Sequence, residues 1–299
     1  MASFKSWVKA ARLRTLPLAL ASIAMGGFVA STQKTFNLQA VIMAGLTTLL
    51  LQILSNFAND YGDFSKGTDD ENRLGPKRTV QSGEVTAREM KLAMLAFSLL
   101  SLASGLIMLV YYVQLPVTET LLFVGLGIAA IAAAIKYTTG KNPYGYAGLG
   151  DFFVFIFFGL VAVLGTYFLA TQAWKWSVLL PAIAMGMLST GVLNLNNIRD
   201  YTNDKNKGKR TLAVKLGVDG AIYYHTALTS IPFMALLAYN LIIHANWPAY
   251  LVLLLLPLFF IDLMKIRKLK NTAALDPFLK KLALKTLLLT LVYGIGIQF

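Results

Sequence analysis

The sequence predicts an all-α, polytopic membrane protein with nine transmembrane helices, and three observations carry that expectation. Of its 299 residues 57% are hydrophobic and 14% charged, too little polar surface to cover the apolar mass of a soluble domain. Uncharged runs long enough to cross a bilayer, roughly 20 helical residues each, recur from end to end. The basic residues between those runs fall on alternate loops.

Taken in order, the uncharged runs are 15–33, 35–59, 92–118, 120–135, 152–174 and 176–198, each predicting one span. The run 120–135 is short and needs Lys136 or Tyr137 at the interface to complete it. The run 220–261 is long enough for two, and the turn-forming "HANWP" at 244–248 divides it. The tail 282–299, which carries only Lys285, supplies the ninth. No small-residue cleavage site stands out in the first run, so it reads as a retained span, and no long Arg-rich, acid-poor transit segment precedes it.

Lys5, Lys9, Arg12 and Arg14 at the N-terminus share their side of the membrane with most other basic residues, and only Lys34 and Lys175 fall in the opposite loops. By the positive-inside rule the N-terminus is cytoplasmic, the C-terminus outside, and the chain sits in the cytoplasmic membrane. The net charge of +13 is then a matter of topology and anionic membrane lipid, with no nucleic-acid partner expected. The absence of cysteine excludes disulfides, thiolate metal sites and cysteine nucleophiles. His225 and His244 read as packing or interface residues.

Against this apolar background, "NFANDYGDFSKGTDDENRLGPKR" at 56–78 is anomalous: it gathers five of the chain's 14 acidic residues at the end of the second span. Asn56, Asp60 and Asp63 are spaced i, i+4, i+7 and share a face while the helix lasts. A helix C-terminus disfavours carboxylates unless a cation joins them. The pattern returns at the end of the sixth span in "NLNNIRDYTNDKNKGKRT", with Asn196, Asp200 and Asp204. Each N-x-x-x-D is followed by a glycine and a basic pair, Gly67 with Lys77 and Arg78, then Gly208 with Lys209 and Arg210. The chain therefore reads as one domain over 1–299 built from two weakly repeated parts, about 1–136 and 137–299.

Converging carboxylates repel unless protonated or bridged by a divalent cation. Oxygen ligands without His or Cys select Mg²⁺ or Ca²⁺ over zinc. Magnesium takes one or two carboxylates and completes its shell with water and phosphate, and the neighbouring Lys and Arg suit the outer phosphate oxygens. Together the parts describe a Mg²⁺-diphosphate site on the cytoplasmic side, with Asp60, Asp63, Asp200 and Asp204 as its acids and Asn56 and Asn196 orienting them or ligating through oxygen. Asp69, Asp70 and Glu71 read individually as solvated loop residues. A third polar stretch, "KYTTGKNPYGYAGLGDFFVF" at 136–155, is turn-rich. Its Lys141, Tyr137, Tyr144 and Tyr146 either line the same cavity or form an aromatic belt, and Asp151 holds the loop or a substrate hydroxyl.

"NDYGD" at 59–63 and "DYTNDKNKGKRT" at 200–211 resemble the two aspartate-rich motifs of the UbiA superfamily of intramembrane prenyltransferases. The resemblance extends to "ARLRTLPLALA", "GPKRTVQSGEVT" and "YGYAGLGDFFVFIFFGLVAVLGTYF", a combination similar to the menaquinone-pathway branch. It covers about residues 7–220, and the last three spans match only in hydropathy. Where the superfamily often has a further Asp, this chain has Gly67, with Asp69 two residues on. The resemblance implies nine helices around a central cavity with cytoplasmic cap loops. It implies transfer of a polyprenyl group from polyprenyl diphosphate to 1,4-dihydroxy-2-naphthoate, with release of CO₂ and pyrophosphate. Mg²⁺ on the four aspartates would neutralise the leaving group, and Arg78, Lys209, Arg210 and Lys141 would face the pyrophosphate. The tyrosines would stabilise a carbocation, Asn59 would sit with the substrate, and Arg14 or Arg12 would meet the naphthoate carboxylate or the diphosphate.

Two other readings share part of this pattern. Another aromatic prenyltransferase, acting on hydroxybenzoate or homogentisate, would keep the same diphosphate machinery. An ion-coupled secondary transporter would also have repeated halves, but its ionisable residues would lie near the midplane, whereas here they cluster at helix ends on one face.

Overall fold

The computed structural model describes residues 2–68, 77–269 and 271–299, so Asp69, Asp70 and Glu71 lie outside the described residues. The described residues are helical throughout, with no strand among them. The helices are α1 (Phe4–Ala11), α2 (Leu16–Ser31), α3 (Leu38–Ser65), α4 (Ala87–Val113), α5 (Val117–Lys136) and α6 (Gly150–Thr171), followed by α7 (Trp176–Arg199), α8 (Tyr201–Asn206), α9 (Leu212–Ile242), α10 (Trp247–Lys268) and α11 (Asp276–Gly296). Eight segments are long and apolar enough to cross a membrane, the first being α1 with α2. The ninth expected span is α11, whose 21 residues include Asp276, Lys280, Lys281 and Lys285. Lys285 pairs with Asp262 of α10 at 2.6 Å, joining the last two helices. Leu92, Leu95 and Leu99 of α4 and Leu121, Leu122 and Ile128 of α5 stand exposed on the outside, as befits a polytopic membrane protein whose outer solvent is lipid.

Local sequence explains where the helices begin and end. The Asn37 side chain accepts the Ala40 N–H to start α3, and Thr86 with Glu89 forms a capping box at the start of α4. Arg12 adopts a left-handed backbone (φ 50°) that turns the chain from α1 into α2, where Pro17 occupies the first turn. Helix α3 continues six residues past the end of its uncharged run and so carries Asp60 and Asp63 on a rigid element. Two stretches are π-helical, Met108–Val113 at the end of α4 and Phe155–Leu164 in the middle of α6. Such wide turns are rare and frequently mark functional sites. Both π-helical stretches contribute to the wall of the central cavity described below.

The largest buried cluster joins α2, α6, α7, α9, α10 and α11 through residues such as Met25, Met185, Leu188, Phe233, Leu289 and Tyr293. Helices α6 and α7 touch backbone to backbone where Gly159 meets Gly186. A Cβ on Gly159 would lie 2.6 Å from the Gly186 Cα and 2.7 Å from the Ala182 carbonyl oxygen. Neither is a flexible side-chain end, so Gly159→Ala must push the helices apart. We expect it to lower stability by about 1–3 kcal/mol, read as an earlier thermal transition in detergent, whereas Gly125→Ala, with open space around it, leaves the transition where it was.

Candidate active site

A cavity of about 410 Å³ lies among α2–α7 and the start of α11. Most of its wall is apolar, from Leu51, Leu102, Leu106, Phe157, Val161 and Leu169 among others. One end is polar. There α3 supplies Asn56, Asn59 and Asp63, the end of α7 supplies Asn196 and Asp200, and α8 supplies Asn203 and Asp204. Arg78 and Lys209 enter from the loops after α3 and α8, Tyr137 and Tyr144 line the α5–α6 side, and Arg12, Arg14 and Lys280 also line the cavity.

The two acidic clusters meet across Lys209. Its Nζ stands 4.0 Å from the Asp63 carboxylate and 3.7 Å from that of Asp204, and 5.1 Å from the centre of the Tyr146 ring. Asp63 also accepts the Tyr146 hydroxyl at 3.0 Å and faces Arg78 at 3.6 Å. Burial alone would pull the Lys209 pKa down, but Asp63 and Asp204, with Tyr137 and Tyr146 behind them, outweigh it and raise it. Burial raises the Tyr137 and Tyr146 pKa values, so both rings stay neutral and Tyr146 remains a donor to Asp63. Asp200 is held differently, by both forks of the buried Arg199 at 2.9 and 2.6 Å.

The cap over this end depends on close backbone contacts. Thr138 packs so tightly on Gly62 that a Cβ there would sit 2.3 Å from the Thr138 hydroxyl oxygen. Thr138 in turn donates to the Ala58 carbonyl at 2.9 Å. The Arg210 N–H donates to the Tyr146 carbonyl, Lys215 to the Ala147 carbonyl, and Asn203 to the Thr68 carbonyl, stitching the loops after α3, α5 and α8 together.

Several expected site residues stand outside the cavity or are engaged in its wall by other contacts. Asp60 is 1% exposed but turned away from the cavity: its carboxylate accepts the Thr79 hydroxyl at 2.6 Å and the Thr79 N–H at 3.0 Å. The cavity face of α3 is therefore Asn56, Asn59 and Asp63, because the Thr79–Val80 loop draws Asp60 to the other side. Asn56 donates its amide to the Ala11 carbonyl at 2.8 Å and to Thr15, which makes it the link between α3 and the N-terminal segment. Lys141 is exposed outside the cavity, its carbonyl accepting Lys66, and Arg210 is exposed and engaged through its backbone. Asp151 is buried behind the wall, next to the Thr190 hydroxyl that donates to its carbonyl. Tyr144 bonds the Ala133 carbonyl at 2.8 Å and packs its ring, tilted by 30°, on Phe153 at 4.1 Å, so it shapes the wall with its ring.

Arg199, Asp276, Thr79 and Asn203 were not singled out by the sequence reading. Arg199 follows a long charge-free run directly and precedes a motif aspartate, but a basic residue at the end of such a run ordinarily reaches out to the interface, so its position alone did not mark it.

Among the described residues no three acidic or histidine side chains converge on one point. A hard cation that takes one or two carboxylates and completes its shell with amide, water and phosphate oxygens nevertheless fits the donors present, which are Asp63, Asp200 and Asp204 with Asn59, Asn196 and Asn203. Residues 19–289 match the model of the UbiA prenyltransferase family. The chain belongs to this family. Among UbiA-family relatives, the 1,4-dihydroxy-2-naphthoate octaprenyltransferase of Haemophilus influenzae is 42% identical over 98% of this chain and 96% of its own. The enzyme of the same name from Escherichia coli is 39% identical over 98% and 95%. The UbiA fold is also that of an Archaeoglobus fulgidus UbiA homologue solved with DMAPP and Mg²⁺ (TM-score 0.67, 17% identity, covering 98% of this chain and 99% of that one).

Proposed function

We propose that this UbiA-family chain transfers a polyprenyl group from its diphosphate to 1,4-dihydroxy-2-naphthoate, with Mg²⁺, releasing pyrophosphate and CO₂ in menaquinone biosynthesis. The observation that carries the reading is one cavity whose carboxylate, amide and cationic end adjoins a long apolar remainder. A diphosphate with an isoprenoid tail has those two halves. The names of the near-full-length relatives at 42% and 39% identity support the naphthoate as acceptor, and the Archaeoglobus homologue with DMAPP and Mg²⁺ supports the metal.

In this reading Asp63, Asp200 and Asp204, with Asn59, Asn196 and Asn203, would hold Mg²⁺, which would supply neutralisation of charge on the diphosphate. Arg78 and Lys209 donate to the outer phosphate oxygens as the allylic C–O bond breaks and pyrophosphate leaves with its electron pair. The Tyr137 ring faces the allylic cation so formed, and the apolar walls keep water from it. An electron-rich ring carbon of the acceptor forms the new C–C bond, and the carboxylate departs as CO₂, leaving the hydroquinone form of demethylmenaquinone. Asp60 and Asn56 position α3 against its neighbours. The basic loops and N-terminus support a reading in which the polar end and the N-terminus face the cytoplasm from the cell membrane.

The test is an assay of detergent-purified protein with polyprenyl diphosphate and the naphthoate, with Mg²⁺ or with excess EDTA. Prenylated naphthoquinol and pyrophosphate should form with Mg²⁺ and fall to background with EDTA. Transfer to hydroxybenzoate in place of the naphthoate would overturn the acceptor. Pyrophosphate release undiminished by EDTA would overturn the metal.

A further inference from the structure

Arg199 closes α7 with 0% of its surface exposed, the largest fully buried side chain described. A guanidinium in such a place is costly unless its donors are answered. Here Nε and Nη2 donate to the two oxygens of Asp200, Nη2 also to the Asn196 side-chain oxygen at 2.9 Å, and Nη1 to Asp276 in the first turn of α11 at 2.5 Å. Arg14, which lines the cavity, approaches the other Asp276 oxygen at 3.6 Å. Two carboxylates thus share one buried guanidinium. The fork fixes the plane of Asp200, and the second carboxylate keeps the group from cancelling the negative charge that a cation would need.

We infer that Arg199 and Asp276 are positioning residues that aim the Asp200 carboxylate, and with it Asn196, into the cavity for metal-diphosphate binding. The inference rests on the proposed role of Asp200. It makes the first turn of α11, which the sequence reading left outside the site, a working part of it. Partners of this kind around a metal ligand change metal affinity by roughly 10- to 100-fold when removed. A lysine at 199 keeps the charge but cannot grip both oxygens. An asparagine at 276 leaves the whole guanidinium charge on Asp200.

The experiment measures Mn²⁺ binding by electron paramagnetic resonance on the full-length protein in detergent, without substrate, for wild type, Arg199→Lys, Asp276→Asn and Asp200→Asn. KM is then measured for each substrate. Arg199→Lys should weaken Mn²⁺ about tenfold or more, and Asp276→Asn should shift it in the same direction. Both should raise KM for the polyprenyl diphosphate and leave KM for the naphthoate unchanged. Asp276 is 35% exposed at its side chain, so its variant decides the matter if Arg199→Lys does not fold. Wild-type or tighter Mn²⁺ binding in folded variants, with Asp200→Asn weakened, overturns the inference and leaves the function standing. Unchanged binding in Asp200→Asn overturns the role of Asp200 and the inference with it.

Discussion

Asp63→Asn lowers the rate of prenyl transfer by about 10²–10³-fold while the protein stays folded, and Asp60→Asn does not. The two residues are three positions apart on α3, yet their carboxylates have different partners. Asp63 faces the cavity together with Lys209, Arg78 and Tyr146, so the change removes negative charge where a cation and a diphosphate meet. Asp60 accepts two hydrogen bonds from Thr79 outside the cavity. An amide there puts a donor against a donor and costs about 1–3 kcal/mol, read as an earlier thermal transition with little change in kcat for the folded fraction. Equal kcat losses from the two variants at equal stability would refute this division of labour.

Lys209→Ala is the second large effect. The lysine is buried between Asp63 and Asp204 and neutralises a pair that would otherwise repel. Without it the metal-free protein should melt earlier, and Mg²⁺ should restore stability by a larger shift than it gives wild type, because a ligand that binds only the folded state stabilises it. Activity should fall about 100-fold even at saturating Mg²⁺, since a donor to the leaving phosphate is gone. Equal Mg²⁺-induced shifts in the two proteins would mean that the lysine and the cation do not serve the same carboxylates.

The membrane spans were legible because charge-free runs and basic loops mark them directly, and the turn at 244–248 appears where it was expected, with His244 in a left-handed conformation. The acidic ends of α3 and α7 were legible from their repeated N-x-x-x-D. Which side chain of each cluster faces inward was not. Asn56, Asp60 and Asp63 lie within one helical face by spacing, and it is a loop 19 residues on, through Thr79, that turns Asp60 out. The π-helical turns carry no signature of charge or proline, and Arg199 looked like one more cytoplasmic basic residue. Its burial depends on Asp276, 77 residues away, a pairing that periodicity cannot encode.

The ion pair between Lys285 and Asp262 bears on how the chain enters the bilayer. A charge left alone at the centre of a spanning helix costs roughly 2.5–3.5 kcal/mol on insertion scales, and α11 carries further charge in its first turns. Presented to the insertion machinery singly, α11 is a poor candidate to leave the aqueous channel. Presented with α10 already beside it, the two charges answer each other at 2.6 Å and the penalty is largely offset. The unit expected to partition into lipid is thus the α10–α11 pair, and α10 separated from α11 would hold an unanswered aspartate.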